Sequence, residues 1–161
     1  MRPVTAVVRA TLVLAACAAC ADFAVQPLPP LPDSVVAQPS FAEHIAPVLE
    51  ARCSTVACHN TSTQRMDLVL SAPRAYDELV PEGSCAEAST LPPPDGCSVL
   101  APGRALVQPG NADASWLVKM ISPDSVEARH GTYLMPLGRE PLTPAQIANI
   151  VTWITQGAPR N

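Results

Sequence analysis

The sequence predicts a mainly α-helical domain with long loops over residues 40–161. Two segments, one at each end of this range, start with helix-capping residues and repeat apolar residues every three or four positions, as one face of a helix does. Strand signals are weak, and only 66–70 and 105–109 could form a small strand pair. At 161 residues, the chain is long enough for one domain with appendages, not for two ordinary cores.

Residues 1–20 have the layout of a secretory signal peptide. Arg2 and Arg9 are followed by an apolar run, and small residues precede Cys17. The apolar run is shorter than the roughly 20 residues that a membrane-spanning helix needs. The stretch LAAC, which ends at Cys17, resembles the bacterial lipobox, and Cys20 is a second possible processing site. We therefore expect an exported protein of the periplasm or outer membrane, lipid-anchored through Cys17, with plain secretion as the alternative.

Residues 21–39 are expected to form a tether. They hold five of the nineteen prolines and show no helical periodicity. Proline-rich stretches are extended and semi-rigid, which suits a spacer between a lipidated cysteine and a folded domain.

The charge of the exported chain limits its partners. Removing residues 1–16 takes away two arginines and no acids, which leaves 8 basic and 14 acidic residues and a net charge of −6. This charge argues against nucleic acid or anionic lipid as a partner, so we expect contact with the membrane through the lipid alone.

The first helix is predicted to begin at Ser40. Ser40 and Glu43 have the spacing of a capping box, in which each residue caps the backbone N–H of the other. Pro47 lacks an N–H, so either the helix is kinked there or its regular part begins at Pro47. In both cases Cys53 lies at the C-terminal end of the helix, whose apolar face contains Phe41, Ile45, Val48 and Leu49.

The last helix has the clearest signals. Thr143 and Gln146 form a second capping box, Pro144 suits the first helical position, and Gly157 is placed to end the helix in a left-handed conformation. Its predicted apolar stripe consists of Ile147, Ile150, Val151 and Ile154, with Trp153 beside it. Two shorter helices are expected within 71–80 and 111–121.

Four cysteines remain in the predicted domain, and two of them bracket a proline-rich loop. Cys85 and Cys97 enclose AEASTLPPPDG, which has no apolar pattern. In an oxidising compartment we expect a disulfide to close this loop, with a stabilisation of roughly 3 kcal/mol. Sequence alone does not fix the connectivity, because four cysteines allow three pairings.

The stretch CSTVACH contains Cys53, Cys58 and His59. The signal for covalent haem attachment is Cys-x-x-Cys-His, whereas four residues separate the two cysteines here. Cys58-His59 is the stronger half of the motif, and Cys53 reaches a second vinyl group only if the intervening residues loop out. A small apolar core with long loops favours a domain that contains a staple, a metal or a cofactor.

A haem iron in a cytochrome commonly takes methionine as its second protein ligand. Met135 lies before Pro136 in a loop and belongs to no helical stripe, which favours it for this role. Met120 lies on an apolar helical face and is expected to pack, and Met66 is near the attachment site. His130, on the same loop as Met135, is the alternative ligand.

Four stretches in order, FAEHIAPVLEARCSTVACHN, VQPGNADASWLVKMI, YLMP and PLTPAQIANIVTWITQGA, resemble a group of bacterial exported c-type cytochrome domains. The resemblance covers nearly all of 41–158 and departs from the usual pattern only in the cysteine spacing. It implies a cytochrome c-like helical fold around one haem c, with Cys53 and Cys58 as thioether anchors, His59 as proximal ligand and Met135 as distal ligand. It also implies a non-enzymatic electron carrier with a donor and an acceptor redox protein.

Two other interpretations remain at this stage. The first is an exported lipoprotein module with a binding or structural role, stapled by Cys53–Cys58 and Cys85–Cys97 disulfides. The second is a zinc or copper site that adds His44 or His130 to CSTVACH, although structural zinc sites usually bring a second closely spaced ligand pair. No catalytic triad, paired-carboxylate motif or nucleotide loop indicates an enzyme.

Overall fold

The computed structural model of the protein describes residues 30–85, 95–99, 101–129 and 134–161. The expected signal peptide, Cys17, Cys20 and His130 lie outside these residues. The prediction of a mainly helical chain is confirmed. A π-helical turn, Phe41–Ile45, precedes α1, and a short 3₁₀ turn, Arg65–Asp67, follows it. The α-helices are α1 (Ala46–Arg52), α2 (Ala75–Leu79), α3 (Trp116–Ile121), α4 (Val126–Arg129) and α5 (Pro144–Thr155).

The start of the first helical segment differs from the predicted capping box. The Ser40 hydroxyl accepts a hydrogen bond from the Glu43 N–H at 3.1 Å, as expected. The Ser40 N–H, however, donates to Nδ1 of His44 at 3.1 Å instead of to the Glu43 side chain. The wide turn ends at Ile45 and regular α-helix begins at Ala46, so Pro47 falls in the first turn of α1, where its missing N–H costs nothing.

Helix α5 has the predicted ends. Thr143 and Gln146 form the full capping box, and Gly157 has a φ of 96°. Its buried face is rotated from the predicted stripe: Ile147 and Val151 are half-buried, whereas Trp153 is fully buried. The buried face also includes two polar side chains, Gln146 and Asn149.

Residues 31–39, the second half of the expected tether, lie along α5. The Asn149 side chain accepts from the Val36 N–H and donates to the Ser34 carbonyl, both at 2.9 Å. The Gln156 side chain donates to the Ala37 carbonyl at 2.8 Å. The two bonds of Asn149 satisfy an amide that would otherwise be costly to bury, whereas the buried Gln146 is satisfied by the capping box with Thr143.

The buried Trp153 belongs to an aromatic cluster with the half-buried Phe41 and Tyr76, which pack against the core. The ring of Phe41 lies 5.2 Å from that of Tyr76 and 5.3 Å from that of Trp153, within the range in which aromatic pairs attract. The polar atoms of the two larger rings bond to the C-terminal backbone: the Tyr76 hydroxyl to the Ala158 carbonyl at 2.8 Å, and the Trp153 Nε1 to the Pro159 carbonyl at 2.9 Å. The C-terminus thus closes the core over α2 and α5.

The predicted strand pair is wrong. Backbone groups of 66–70 and 105–109 bond elsewhere, since the Leu70 N–H donates to the His59 carbonyl and the Val107 N–H to the Leu79 carbonyl. Within the described residues the one β-bridge joins Cys97 to Ala105. Both segments are loops that contribute residues to the lining of a cavity. Their backbone groups bond to residues outside the predicted pair, and an alternating apolar pattern in the sequence does not reveal such partners. None of the helices in the described parts of the chain is long and apolar enough to cross a membrane.

Candidate functional site

A largely apolar cavity of about 320 Å³ brings together three of the four predicted site residues. Cys53, His59 and Met135, which span 82 residues of sequence, all line it. Its volume lies at the lower end of the range for small-molecule sites, roughly 300–1,000 Å³. Exposed side chains, among them Gln64 and Met66, form part of its rim, so the cavity opens to solvent.

Cys53 lies in the cavity wall because α1 ends there. Its N–H continues the helical pattern by donating to the Leu49 carbonyl at 2.8 Å, and its thiol is buried against the core. Burial, and secondarily the nearby Cys58, raises the pKa of the Cys53 thiol to about 12, against a smaller opposing effect of Arg52. At neutral pH this side chain is therefore an uncharged thiol facing an apolar space.

The four residues between the cysteines loop out. The His59 N–H donates to the Cys53 carbonyl at 3.0 Å, which closes the loop and brings the two ends of the motif together. Val56, in the middle of the loop, is 86 % exposed. The Asn60 side chain donates to the Thr55 carbonyl at 3.1 Å, which fixes the loop to the residue that follows His59. The extra length is thus accommodated by a loop whose second half, Val56 and Ala57, is exposed, without separating Cys53 from His59.

Cys58 is half-buried and lies beside the cavity rather than in its wall. Its sulfur accepts a hydrogen bond from the Thr55 hydroxyl at 3.3 Å. Both Cys53 and Cys58 are free thiols. The stapled-module interpretation needs a disulfide between them, and the structure forms only the other predicted bond, Cys85–Cys97.

His59 is oriented by a backbone carbonyl. Its Nδ1 lies 2.9 Å from the Arg65 carbonyl oxygen, and because a carbonyl can only accept, Nδ1 carries the proton and Nε2 carries the lone pair. Burial lowers the pKa of His59, opposed by hydrogen bonds to the Arg65 and Leu68 carbonyls. A neutral imidazole with one nitrogen fixed by a carbonyl is the state in which histidine binds a metal.

Met135 reaches the cavity from the far end of the sequence. Its N–H donates to the Met120 carbonyl at 2.8 Å, and its side chain packs against the main core while lining the cavity. Met120 and Met66 also line the cavity, the first buried and the second exposed. His130, the alternative to Met135, lies outside the described residues.

The disulfide forms another part of the wall. Cys85 and Cys97 close the proline-rich loop as predicted, with their Cα atoms 5.5 Å apart, and 95–99 line the cavity. Gly96 has a φ of 78°, and a Cβ there would lie 2.3 Å from the Pro81 nitrogen. Only glycine allows the backbone to approach so closely, so this position fixes 95–99 against the end of α2.

Sequence reasoning missed the polar part of the cavity. Arg74 and Glu78 line it and form an ion pair one helical turn apart, with Glu78 almost fully buried. The sequence shows the two opposite charges at i, i+4 spacing, but on a short helix this spacing indicates a solvent-exposed ion pair rather than one that lines a cavity. Trp116 is also in the wall, with the guanidinium of Arg104 5.7 Å from its ring centre.

The predicted zinc or copper site is not formed by the described residues, Cys53, Cys58 and His59 included. Among them, no group of three or more His, Cys, Asp or Glu side chains is placed to hold a metal ion. His44, an alternative zinc or copper ligand, is bonded through Nδ1 to the Ser40 N–H at the start of the first helical segment.

No protein-family model, curated protein or solved structure matches this chain. The site is therefore interpreted from its own residues and contacts.

Proposed function

We propose that this chain is a monohaem c-type cytochrome, an exported electron carrier of the cell envelope with a cytochrome c-like fold. The observation that carries the proposal is the shared cavity: Met135 lies in its wall together with Cys53 and His59, although it is far from both in sequence. A thiol, an imidazole and a thioether around one apolar space are the groups by which proteins attach haem and ligate its iron.

The residues fit a haem in their chemistry. His59 would be the proximal ligand through Nε2, because its Nδ1 is bonded to the Arg65 carbonyl. The lowered pKa keeps the imidazole neutral and available at physiological pH. Met135 would be the distal ligand through its sulfur, which protonation does not affect. Cys53 from the wall, and Cys58 from the position before His59, would hold the haem by thioether bonds.

A bound haem supplies one-electron exchange between ferric and ferrous iron. The chain would fix the two axial side chains and exclude water with the apolar wall that includes Leu70, Trp116 and Leu117. Burial of a large apolar group against this wall would also stabilise a domain built from short helices. If His59 and Met135 both bound the iron, no position on it would remain for a substrate, which favours a carrier over an enzyme.

The N-terminal features extend the proposal to the cell. The signal-like residues 1–20 and the lipobox-like stretch before Cys17 support export and lipid anchoring in the periplasm or outer membrane. The partners would then be a donor and an acceptor redox protein, with membrane contact through the lipid on Cys17 and none with nucleic acid. The Cys85–Cys97 disulfide is consistent with an oxidising compartment.

The test is the pyridine haemochrome spectrum of the full chain purified from an export-competent host that attaches haem. We expect covalent haem that survives denaturing electrophoresis, and a spectrum that counts the thioether bonds. His59→Ala should lose the native haem spectrum. His44→Ala is the matched control, because His44 only caps the first helical segment, and it should keep the spectrum. A wild-type protein without haem would refute the proposal and favour a stapled or binding module.

A further inference from the structure

The charges around the cavity are unevenly distributed. Among the described residues that line it, Arg74 is the only lysine or arginine, whereas Asp67, Glu78 and Asp95 contribute three carboxylates. A haem has one charged edge, formed by its two propionates. Three of the four charged side chains in the lining would repel that edge, so Arg74 is the lining residue that would attract it.

Arg74 is held at the rim by a buried partner. Its Nη2 is bonded to Oε1 of Glu78, whose side chain is 5 % exposed, whereas the Arg74 side chain is 50 % exposed. Glu78 also lies 3.4 Å from the Val69 N–H, which fixes the carboxylate from the other side. A buried carboxylate is costly without a partner, so the ion pair keeps the guanidinium in place.

The ion pair leaves donors to spare. A guanidinium has five N–H donors. Among the described residues, the Arg74 guanidinium makes one hydrogen bond, to Glu78. Arginine binds carboxylates in a planar, two-pronged geometry, and the Arg74 side chain, which lines the cavity, is half-exposed.

The geometry points to Arg74 as the carboxylate-binding end of the cavity: its guanidinium, oriented by Glu78, hydrogen-bonds a propionate of the haem and sets which edge faces the opening. This inference rests on the proposed function, since it needs a haem in the cavity. It makes Arg74 a positioning residue for the cofactor and makes the cavity selective for a macrocycle with free carboxylates.

The first test is resonance Raman spectroscopy of the haem-loaded protein, in which the propionate bending bands report hydrogen bonding to the propionates. Arg74→Gln should shift at least one of these bands, and Arg74→Lys should restore part of the shift because it keeps the charge but not the two-pronged geometry. Arg160→Gln is the control: Arg160 pairs with Asp77 outside this cavity, and its loss should leave the bands unchanged.

The outcomes separate the two proposals. A wild-type protein without haem overturns the proposed function and this inference with it. A haem-loaded Arg74→Gln protein with wild-type propionate bands overturns the inference alone.

A second measurement applies if Arg74→Gln does not acquire haem. The Cys53→Ala/Cys58→Ala protein, prepared without haem, is titrated with ferric haem and with its dimethyl ester. We expect the free acid to bind roughly tenfold or more tightly than the ester, since one charge-assisted hydrogen bond is lost in the ester. Adding Arg74→Gln should reduce this ratio to near one, whereas adding Arg160→Gln should not. An unchanged ratio after Arg74→Gln refutes the inference.

Discussion

A small disulfide reagent such as 2,2′-dithiodipyridine should modify Cys53 far more slowly in the folded, haem-free protein than in the chain unfolded in urea. Burial raises the pKa of the Cys53 thiol from 9.0 to about 12. At pH 8 a thiol with a pKa of 9.0 is about one-tenth thiolate, whereas one with a pKa of 12 is about one part in 10⁴, so the reactive form is roughly 900-fold rarer.

The greater basicity of the buried thiolate recovers part of this loss. With a Brønsted slope of about 0.4–0.5, a rise of three pKa units makes the thiolate roughly 20-fold more nucleophilic. Ionisation alone therefore slows Cys53 by about 40-fold at pH 8, and steric shielding by the cavity wall adds to that. The rate of Cys53 modification in the folded protein should also rise tenfold per pH unit from pH 7 to 10. In the unfolded chain the rate should level off above about pH 9, where most of the thiol is already ionised.

The assay follows thiopyridone release and assigns each modified cysteine by peptide mass. Cys58, half-buried in the same loop, is the internal comparison and should react before Cys53 in the folded protein.

The raised pKa of Cys53 also makes the stability of the folded state depend on pH. The contribution of the neutral Cys53 thiol to stability is fully present below pH 9 and is lost as the pH rises toward 12. Equal rates for Cys53 in the folded and unfolded protein would show that its thiol does not lie in a buried cavity wall.

Two further perturbations test the distal ligand and the segment along α5. In the haem-loaded protein, Met135→Ala should lower the reduction potential measured by spectroelectrochemistry, because methionine ligation raises it. Met66→Ala is the control and should leave the potential unchanged. An unchanged potential in Met135→Ala would show that Met135 is not the ligand. Asn149→Ala should lower the free energy of unfolding in urea by roughly 1–3 kcal/mol, because it removes two hydrogen bonds from the buried Asn149 amide to the backbone of Ser34 and Val36. The exposed Asn111→Ala is the control, and a loss no larger than that of Asn111→Ala would contradict the contact.

The ends of the helices were predictable because their signals are local. Thr143, Pro144 and Gln146 satisfy the free N–H groups of α5 within one turn, and Gly157 adopts the positive φ that ends it. The loop-closing disulfide was predictable for a similar reason, since Cys85 and Cys97 bracket a short proline-rich stretch with no apolar pattern.

The buried face of α5 was not predictable, because its cause is distant in sequence. A helical wheel assigns Asn149 to a polar face, and nothing near it shows that 31–39 will cover that face. The same holds for 66–70 and 105–109, whose backbone groups bond to His59 and Leu79 rather than to each other. Patterns of apolar residues report burial along one element, and they carry no information on which distant segment supplies the cover.

The attachment motif shows where spacing and geometry differ. Spacing ranks Cys58 above Cys53, because Cys58 precedes His59 directly and Cys53 is two residues too far away for the usual pattern. In the structure, α1 holds Cys53 in the wall of the cavity, and the hydrogen bond from the His59 N–H to the Cys53 carbonyl brings these two residues together, while Val56 and Ala57 are exposed to solvent. Insertions are tolerated where the added residues can leave the core without moving its ends. The stretched motif therefore keeps a thiol and an imidazole beside one apolar cavity, which is the arrangement that the proposed haem site requires.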